Sequence, residues 1–245
     1  EVYDFIIYNL DTMSKIKLIK LYNKLSYYIL NKSTFWETIK IYNNKEYPRI
    51  LDFLKTLNDS PKVLQCISSE KIKLNLEDWN LKMLNHIDLS NSKIKYENLL
   101  GILYNSKLEK LYLKRIKLYN INRHIITTQK KYLRELDLST MYKFRFERNN
   151  WSLFNIEQIQ NLRILKINNI PLKYHILMNI LSLKYLELLE MKYCYINSRW
   201  GYCCCSDIKN LVEKIVLIKK VVLKDNFCNK TMDILKYHHN NLIII

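Results

Sequence analysis

Leu108-Glu109-Lys110-Leu111-Tyr112-Leu113-Lys114-Arg115-Ile116-Lys117-Leu118 carries the architecture of this chain. Its apolar residues stand at positions 1, 4, 6, 9 and 11. That is neither the 3.6-residue stripe of a helix nor a plain strand. Positions 4 and 6 alternate as a half-buried strand does, while the flanking apolar residues turn inward. The pattern recurs. Leu84, Ile87, Leu89, Ser92 and Ile94 match it 24 residues earlier. Leu133, Leu136, Leu138 and Met141 match it 25 residues later, with Lys143 at position 11. Leu162, Leu165, Ile167, Ile170 and Leu172 follow, then Leu186, Leu189, Met191, Cys194 and Ile196, then Ile218, Val221, Leu223, Asn226 and Cys228.

Six such units, mostly 24 to 32 residues apart, resemble the leucine-rich repeat. The resemblance implies an α/β fold, a right-handed solenoid bent into a horseshoe. Parallel strands line the concave face and helices the convex face. Helices are expected near 96–104, 121–129, 156–160, 174–181 and 206–213. One unit cannot bury its apolar face alone, so neighbours must stack and share a core. Residues 43–81 are harder to place. A helix is expected at 48–57, opened by Pro48. Residues 71–76 alternate like a strand. Leu74, Leu76, Trp79 and Leu81 also fit the repeat template but crowd the unit at Leu84, so one or two irregular repeats are expected there with an open register.

Composition bounds the function classes. The 245 residues are 49% hydrophobic and 26% charged, which is globular usage. No apolar run approaches the roughly 18 residues needed to span a bilayer, so no membrane partner is expected. The formal charge of +17 comes from 40 basic residues, 32 of them Lys. There is no Ala, and only 2 Gly and 3 Pro. This is the vocabulary of a strongly AT-biased genome, so lysines scattered over exposed faces are the default. The six cysteines form no Cys-x-x-Cys pair or regular framework, and two of them (Cys194 and Cys228) fall on inward template positions. A reducing compartment, cytoplasm or nucleus, is expected. The chain opens on Glu1 and closes on Leu242-Ile243-Ile244-Ile245, a strand by its residues.

Before the repeats the pattern is helical. Val2, Phe5, Ile6 and Leu10 share one spacing, and Asp11 or Ser14 offers an N-cap for the next helix. Ile16, Leu18, Ile19, Leu21, Leu25, Tyr28 and Ile29 continue it as a broad apolar face. Asn31-Lys32-Ser33-Thr34 interrupts, and Phe35-Trp36-Glu37-Thr38-Ile39-Lys40-Ile41 follows. Residues 1–41 resemble an F-box. Tyr8-Asn9-Leu10-Asp11 stands where that family carries a Tyr-Leu-Asp-like element. Leu21-Tyr22-Asn23-Lys24-Leu25-Ser26 is similar to its Leu-Val-Cys-Lys-x-Trp run. Phe35 to Ile41 is similar to its closing Leu-Trp-x-x-Leu-x-Leu. Asn23 replaces the Cys and Ser26 the Trp, and the family's opening Leu-Pro is expected upstream of Glu1.

The resemblance implies a small helical F-box-like domain over 1–41 and a repeat domain over 42–245. It implies that the first binds a Skp-type adaptor, linked in turn to a cullin ubiquitin ligase. The repeats would then hold a protein substrate. Adaptor contacts carried over are Val2, Phe5, Ile6, Leu10, Leu18, Leu21, Leu25 and Ile29. Phe35 and Trp36 would instead fasten the domain to the first repeat. The alternative is a repeat scaffold with no ubiquitin role, its N-terminal helices serving as an end cap.

Template positions 3, 5 and 7 point out of the strands and define the expected substrate face. The candidate contacts are His86, Asp88, Lys110, Tyr112, Lys114, Glu135, Asp137, Lys166 and Glu190. Ser90, Ser139, Ile164, Asn168, Leu188, Lys192, Lys220, Val222 and Lys224 share those positions. Tyr112 is the aromatic anchor. Mixed signs favour a protein ligand over a phosphate backbone, which would want a run of Lys and Arg. Lys143-Phe144-Arg145-Phe146-Glu147-Arg148 reads as a loop with Phe packed inward, or as a stacking site for single-stranded nucleic acid. Cys203-Cys204-Cys205 lies in a long loop suited to a second substrate contact; a metal there would need help from His238 or His239. No Gly-rich phosphate loop, nucleophile elbow or metal-binding His pair at helical spacing is present. Asp88 and Asp137 occupy equivalent strand positions and read as face residues. A non-catalytic chain without cofactor or metal is expected, monomeric apart from its complex.

Overall fold

The computed structural model describes residues 2–22, 28–43, 45–55, 57, 61–67, 73–74, 83–105, 107–119, 132–140, 156, 159–194, 196–197, 208–227, 229–240 and 242–244. The chain is α/β and its paired strands run parallel. It divides into two compact units, residues 1–110 with 116–121, and residues 111–115 with 122–245. The expected boundary after Ile41 lies inside the first unit.

The first unit opens with helices α1 (Val2–Asn9) and α2 (Thr12–Leu21). Asp11 is the N-cap of α2, its carboxylate accepting from the Ser14 amide and hydroxyl, both at 2.8 Å. That satisfies one of the amides a helix start leaves open. The helix does not run on toward Ile29. Tyr22 takes an extended backbone at φ −132° and ψ 92°, which ends it, and residues 28–31 are again helical. Ile29 is fully buried, and its carbonyl accepts from Trp36 Nε1 at 2.9 Å. Asp4 of α1 is tied back by Lys32 at 2.7 Å and by the Tyr28 hydroxyl.

Residues Ser33–Trp36 form a 3-10 turn leading into β1 (Thr38–Ile41). Helix α3 (Tyr47–Leu54), three residues shorter at its end than expected, packs Phe53 on Trp36 with ring centroids 4.6 Å apart. Then follow β2 (Val63–Cys66), β3 (Lys73–Leu74), β4 (His86–Asp88), β5 (Lys93–Lys95) and α4 (Tyr96–Asn105). Strands β1, β2 and β4 are successive neighbours, Ile39 beside Leu64 and Leu64 beside Ile87. Two strands thus precede the first unit that the sequence makes legible, in the same phase: Ile39, Ile41, Leu64 and Cys66 are buried like Ile87 and Leu89. Leu74 does not open an irregular repeat. It pairs with Ile94 in a second ladder that also holds β7 (Lys117–Tyr119), so it fills template position 11. β6 (Lys110–Tyr112) has its first residue in this unit and the other two in the next.

In the second unit, β8 (Glu135–Asp137), β9 (Ile164–Lys166), β11 (Leu188–Lys192), β13 (Lys220–Lys224) and β14 (Leu242–Ile244) are successive parallel neighbours. β10 (Leu172–Lys173) pairs with β12 (Ile196–Asn197) in a separate ladder. The connecting helices are α5 (Tyr174–Leu181), α6 (Ile208–Ile215) and α7 (Asn229–His238). The first matches its expected span, the second is described from Ile208 and runs two residues past its expected end, and the third was not foreseen. The expected helix at 121–129 and the loops at 143–148 and 203–205 lie outside the described residues, as do 157–158 of the helix expected at 156–160, where Ile156 is in a 3-10 turn and Ile159 and Gln160 are not helical.

The core follows the template. Leu136, Leu165, Leu189 and Val221 at position 4, and Leu138, Ile167, Met191 and Leu223 at position 6, are all buried. After each strand comes a residue the pattern does not mark. Asn91, Arg115, Thr140, Asn169, Tyr193 and Asp225 all stand at position 8, with φ between 50° and 62°. This left-handed turn redirects the chain so that position 9 can re-enter the core. Its amide is also spoken for: Thr140 N donates to Asn168 O at 2.7 Å, Asn169 N to Lys192 O at 2.8 Å and Tyr193 N to Lys224 O at 2.6 Å. A β-branched residue is costly there, so Thr140 stores strain that the Asn found at the same position in two other units does not.

Candidate binding faces

The N-terminal helices leave several apolar side chains open. On α1, Ile7 is buried, while Phe5, Ile6 and Tyr8 are exposed at 74%, 51% and 65%. On α2, Met13 and Ile16 are buried, Leu18 is half-buried, and Leu21 and the adjoining Tyr22 are 74% and 55% exposed. Leu10 is half-buried. The inward residues anchor these helices. Lys15, itself buried, donates to Phe35 O at 3.0 Å, and Thr12 Oγ1 accepts from the Lys40 amide at 3.0 Å. Of the six expected adaptor contacts whose side chains are described, Phe5, Ile6 and Leu21 are the most open. Ile29 is fully buried and presents no surface. Val2 begins α1, and Leu25 lies outside the described residues. Tyr8 and Tyr22 join the exposed set without having been singled out; as amphipathic rings they read equally well as buried or open from sequence. Exposed apolar clusters of this kind mark interaction sites more often than chance.

Beside these helices lies a cleft of about 310 Å³ lined by Tyr8, Asp11, Lys15, Glu37, Lys40 and Tyr42, among others. Its polar groups are engaged within the chain. Asp11 caps α2, and Glu37 pairs with Lys62 at 2.6 Å. Burial, then the nearby Lys40 charge, push the Lys15 amine below its ordinary range, with Asp11 acting the other way.

The second face is the outward side of the strands. Every expected substrate contact there is at least partly accessible: His86, Asp88, Lys110, Tyr112, Glu135, Asp137, Lys166 and Glu190 are half-buried and Lys114 is exposed. In the first unit, Asp88 Oδ1 accepts from the Ser90 amide at 2.9 Å. In the second, Asp137 Oδ1 does the same for Ser139 at 2.9 Å. Both aspartates therefore hold the turn after their own strand. The Tyr112 hydroxyl donates to Glu135 Oε2 at 2.6 Å, which fixes the expected anchor ring in place. Asn168 Nδ2 donates to Glu190 Oε1 at 2.8 Å, and Lys192 lies 3.1 Å from the same oxygen. Asn168 and Lys192 were not among the expected contacts; position 7 is where their role could have been sought.

For Glu190, burial raises the carboxyl pKa, but the Asn168 and Lys192 hydrogen bonds and the Lys192 and Lys166 charges outweigh it. The net is a value below the ordinary 4.5. A depressed carboxyl favours the folded state above its unfolded pKa and loses that contribution as pH falls through the folded one. Glu190→Gln is therefore expected to lower the thermal midpoint at neutral pH. The gap from wild type should close as pH drops below about 4, the ordinary glutamate range. A gap independent of pH would contradict this assignment.

The described cysteines are not reactive groups. Burial, with a smaller push from Asp88, raises the Cys66 thiol to about 12. Burial raises Cys194 to about 11, against backbone and Asn226 hydrogen bonds that lower it. Both stay protonated and fill the core. His239 is buried at position 1 of the last strand, with Nε2 2.9 Å from Ile218 O, which leaves it a structural part. Among the described residues, no group of three or more His, Cys, Asp or Glu side chains is placed to hold a metal ion. Among them, too, no helix is long and apolar enough to cross a membrane. No protein-family model matches the sequence, and neither does any curated protein.

Proposed function

We propose that this chain is a non-catalytic recognition subunit of an SCF-type cullin ubiquitin ligase, built as a leucine-rich-repeat solenoid behind an F-box-like helical segment. In this reading the N-terminal helices dock a Skp-type adaptor and the outward strand face holds a protein substrate. The observation that carries it is the exposure of Phe5, Ile6 and Leu21 on helices whose Ile7, Met13 and Ile16 are already buried. Apolar side chains left open beside a completed core are what a docking surface requires. The test is co-purification of the full chain with a Skp-type adaptor. Phe5→Glu and Leu21→Glu, both at open positions, are expected to abolish capture while leaving the thermal midpoint within a few degrees of wild type. An adaptor that binds both variants as it binds wild type, or never binds the folded chain, removes the reading.

A second reading has its own support. α2 closes against the first strand through Thr12 and Lys40, and against the 3-10 turn through Lys15 and Phe35. Helices used that way are an end cap for a repeat scaffold with no ubiquitin role. Under it, the Glu variants would leave every partner's binding unchanged.

A further inference from the structure

The outward positions of β9, β11 and β13 divide into two kinds of chemistry. One is apolar. Ile164 and Leu188 are register partners and both half-buried, and Val222, the register partner of Glu190, is 7% exposed. The neighbouring β14 extends this stripe with Ile243, the register partner of Val222, at 40% exposure. The other is cationic. Lys166, Lys192, Lys220 and Lys224 stand on the same three strands, against Glu190 as the one carboxylate. That carboxylate is already engaged by Asn168 and Lys192. Lys220 is exposed, and among the described residues no carboxylate lies within ion-pair distance of it. Asp225, just past β13, is the one further acid beside Lys224. Apolar area thus lies among four lysines that outnumber the two carboxylates beside them.

We propose that β9, β11 and β13 bind an extended acidic peptide segment whose carboxylates alternate with aliphatic side chains. This rests on the strand face being the substrate surface, and names the class of substrate it takes. A bound strand presents alternate side chains to opposite sides. Aliphatic residues would cover Ile164, Leu188 and Val222, leaving the carboxylates on the peptide's outer side, where the long stems of Lys166 and Lys220 extend past its edges to meet them. Burying the stripe supplies the non-directional part of the affinity. The lysines supply attraction and exclude basic partners. Nucleic acid fits less well. These three strands carry no Arg and no aromatic residue at an outward position on which bases could stack.

The experiment is fluorescence anisotropy on the full chain with three labelled peptides: glutamate alternating with leucine, lysine with leucine, and glutamate with serine. An oligouridylate serves as competitor. The glutamate–leucine peptide is expected to bind, with the other two at least about tenfold weaker. Lys166→Glu and Lys220→Glu are each expected to weaken it about tenfold, more at low salt. Leu188→Ser should weaken it in a manner insensitive to salt. Far-UV circular dichroism melts confirm that each variant is folded. If the lysine–leucine peptide binds equally well, or Leu188→Ser acts while the lysine variants do not, the acidic preference is wrong and the strand face still binds. If no face variant alters binding of any peptide, the strand-face reading fails with it. Oligouridylate that outcompetes the peptide and loses its binding in Lys166→Glu also overturns the proposal.

Discussion

Leu165→Ala is expected to lower the unfolding free energy by about 2–5 kcal/mol. Leu165 lies at position 4 of β9, fully buried, with Leu136 beside it in register on one side and Leu189 on the other. Removing its isobutyl group leaves a void that three stacked strands cannot easily close, because each strand is pinned by ladder bonds to its neighbours. The adjacent Lys166→Ala is expected to change stability by no more than about 0.5 kcal/mol, since that side chain points outward. Chemical denaturation of the two variants tests the register directly. A one-residue slip would exchange their effects, because the side-chain period of a strand is two.

Thr140→Pro is the second large expectation, at about 3 kcal/mol of destabilisation. The proline ring holds φ near −65°, whereas Thr140 sits at 54°. It also deletes the amide that donates to Asn168 O at 2.7 Å. Both losses fall on the turn that sends the chain back into the core. The converse variant makes the argument two-sided. Thr140→Asn keeps the amide and relieves the β-branched side chain, and is expected to stabilise by about 1 kcal/mol. Thermal and urea unfolding should rank the variants Asn, wild type, Pro in falling stability. An Asn variant no more stable than wild type would mean that the strain is taken up elsewhere.

These two sites differ in how far they could be read in advance. Leu165 belongs to a repeated apolar spacing, and spacing is visible in any sequence. Thr140 belongs to a position occupied elsewhere by Asn, Arg, Tyr and Asp, which share no side-chain chemistry. What unites them is a backbone turn, and a backbone turn leaves a residue signature only where Gly or Asn is the sole economical choice. The candidate sites show the same division. Phe5, Ile6 and Ile29 look alike as apolar letters at helical spacing. In the fold Ile29 is fully buried, while Phe5 and Ile6 stay open on α1. Glu190 was identifiable as an outward position, but not its fixation by Asn168 from the neighbouring strand.

By itself the sequence determined the phase of the core from Leu84 to Leu223, because alternation within a strand is a local property and is repeated too often to mistake. Only the tertiary structure put into the repeat register the strands whose position 1 is Trp36, Pro61 or His239, although residues 242–245 already read as a strand. Those side chains reach the core through size, ring shape or a hydrogen bond, not through aliphatic character. It also moved Leu74 into the second ladder opposite Ile94. An apolar residue declares that it will be buried. Which neighbour it is buried against depends on the path of the chain between strands, and that path is set by packing over distances no local pattern spans.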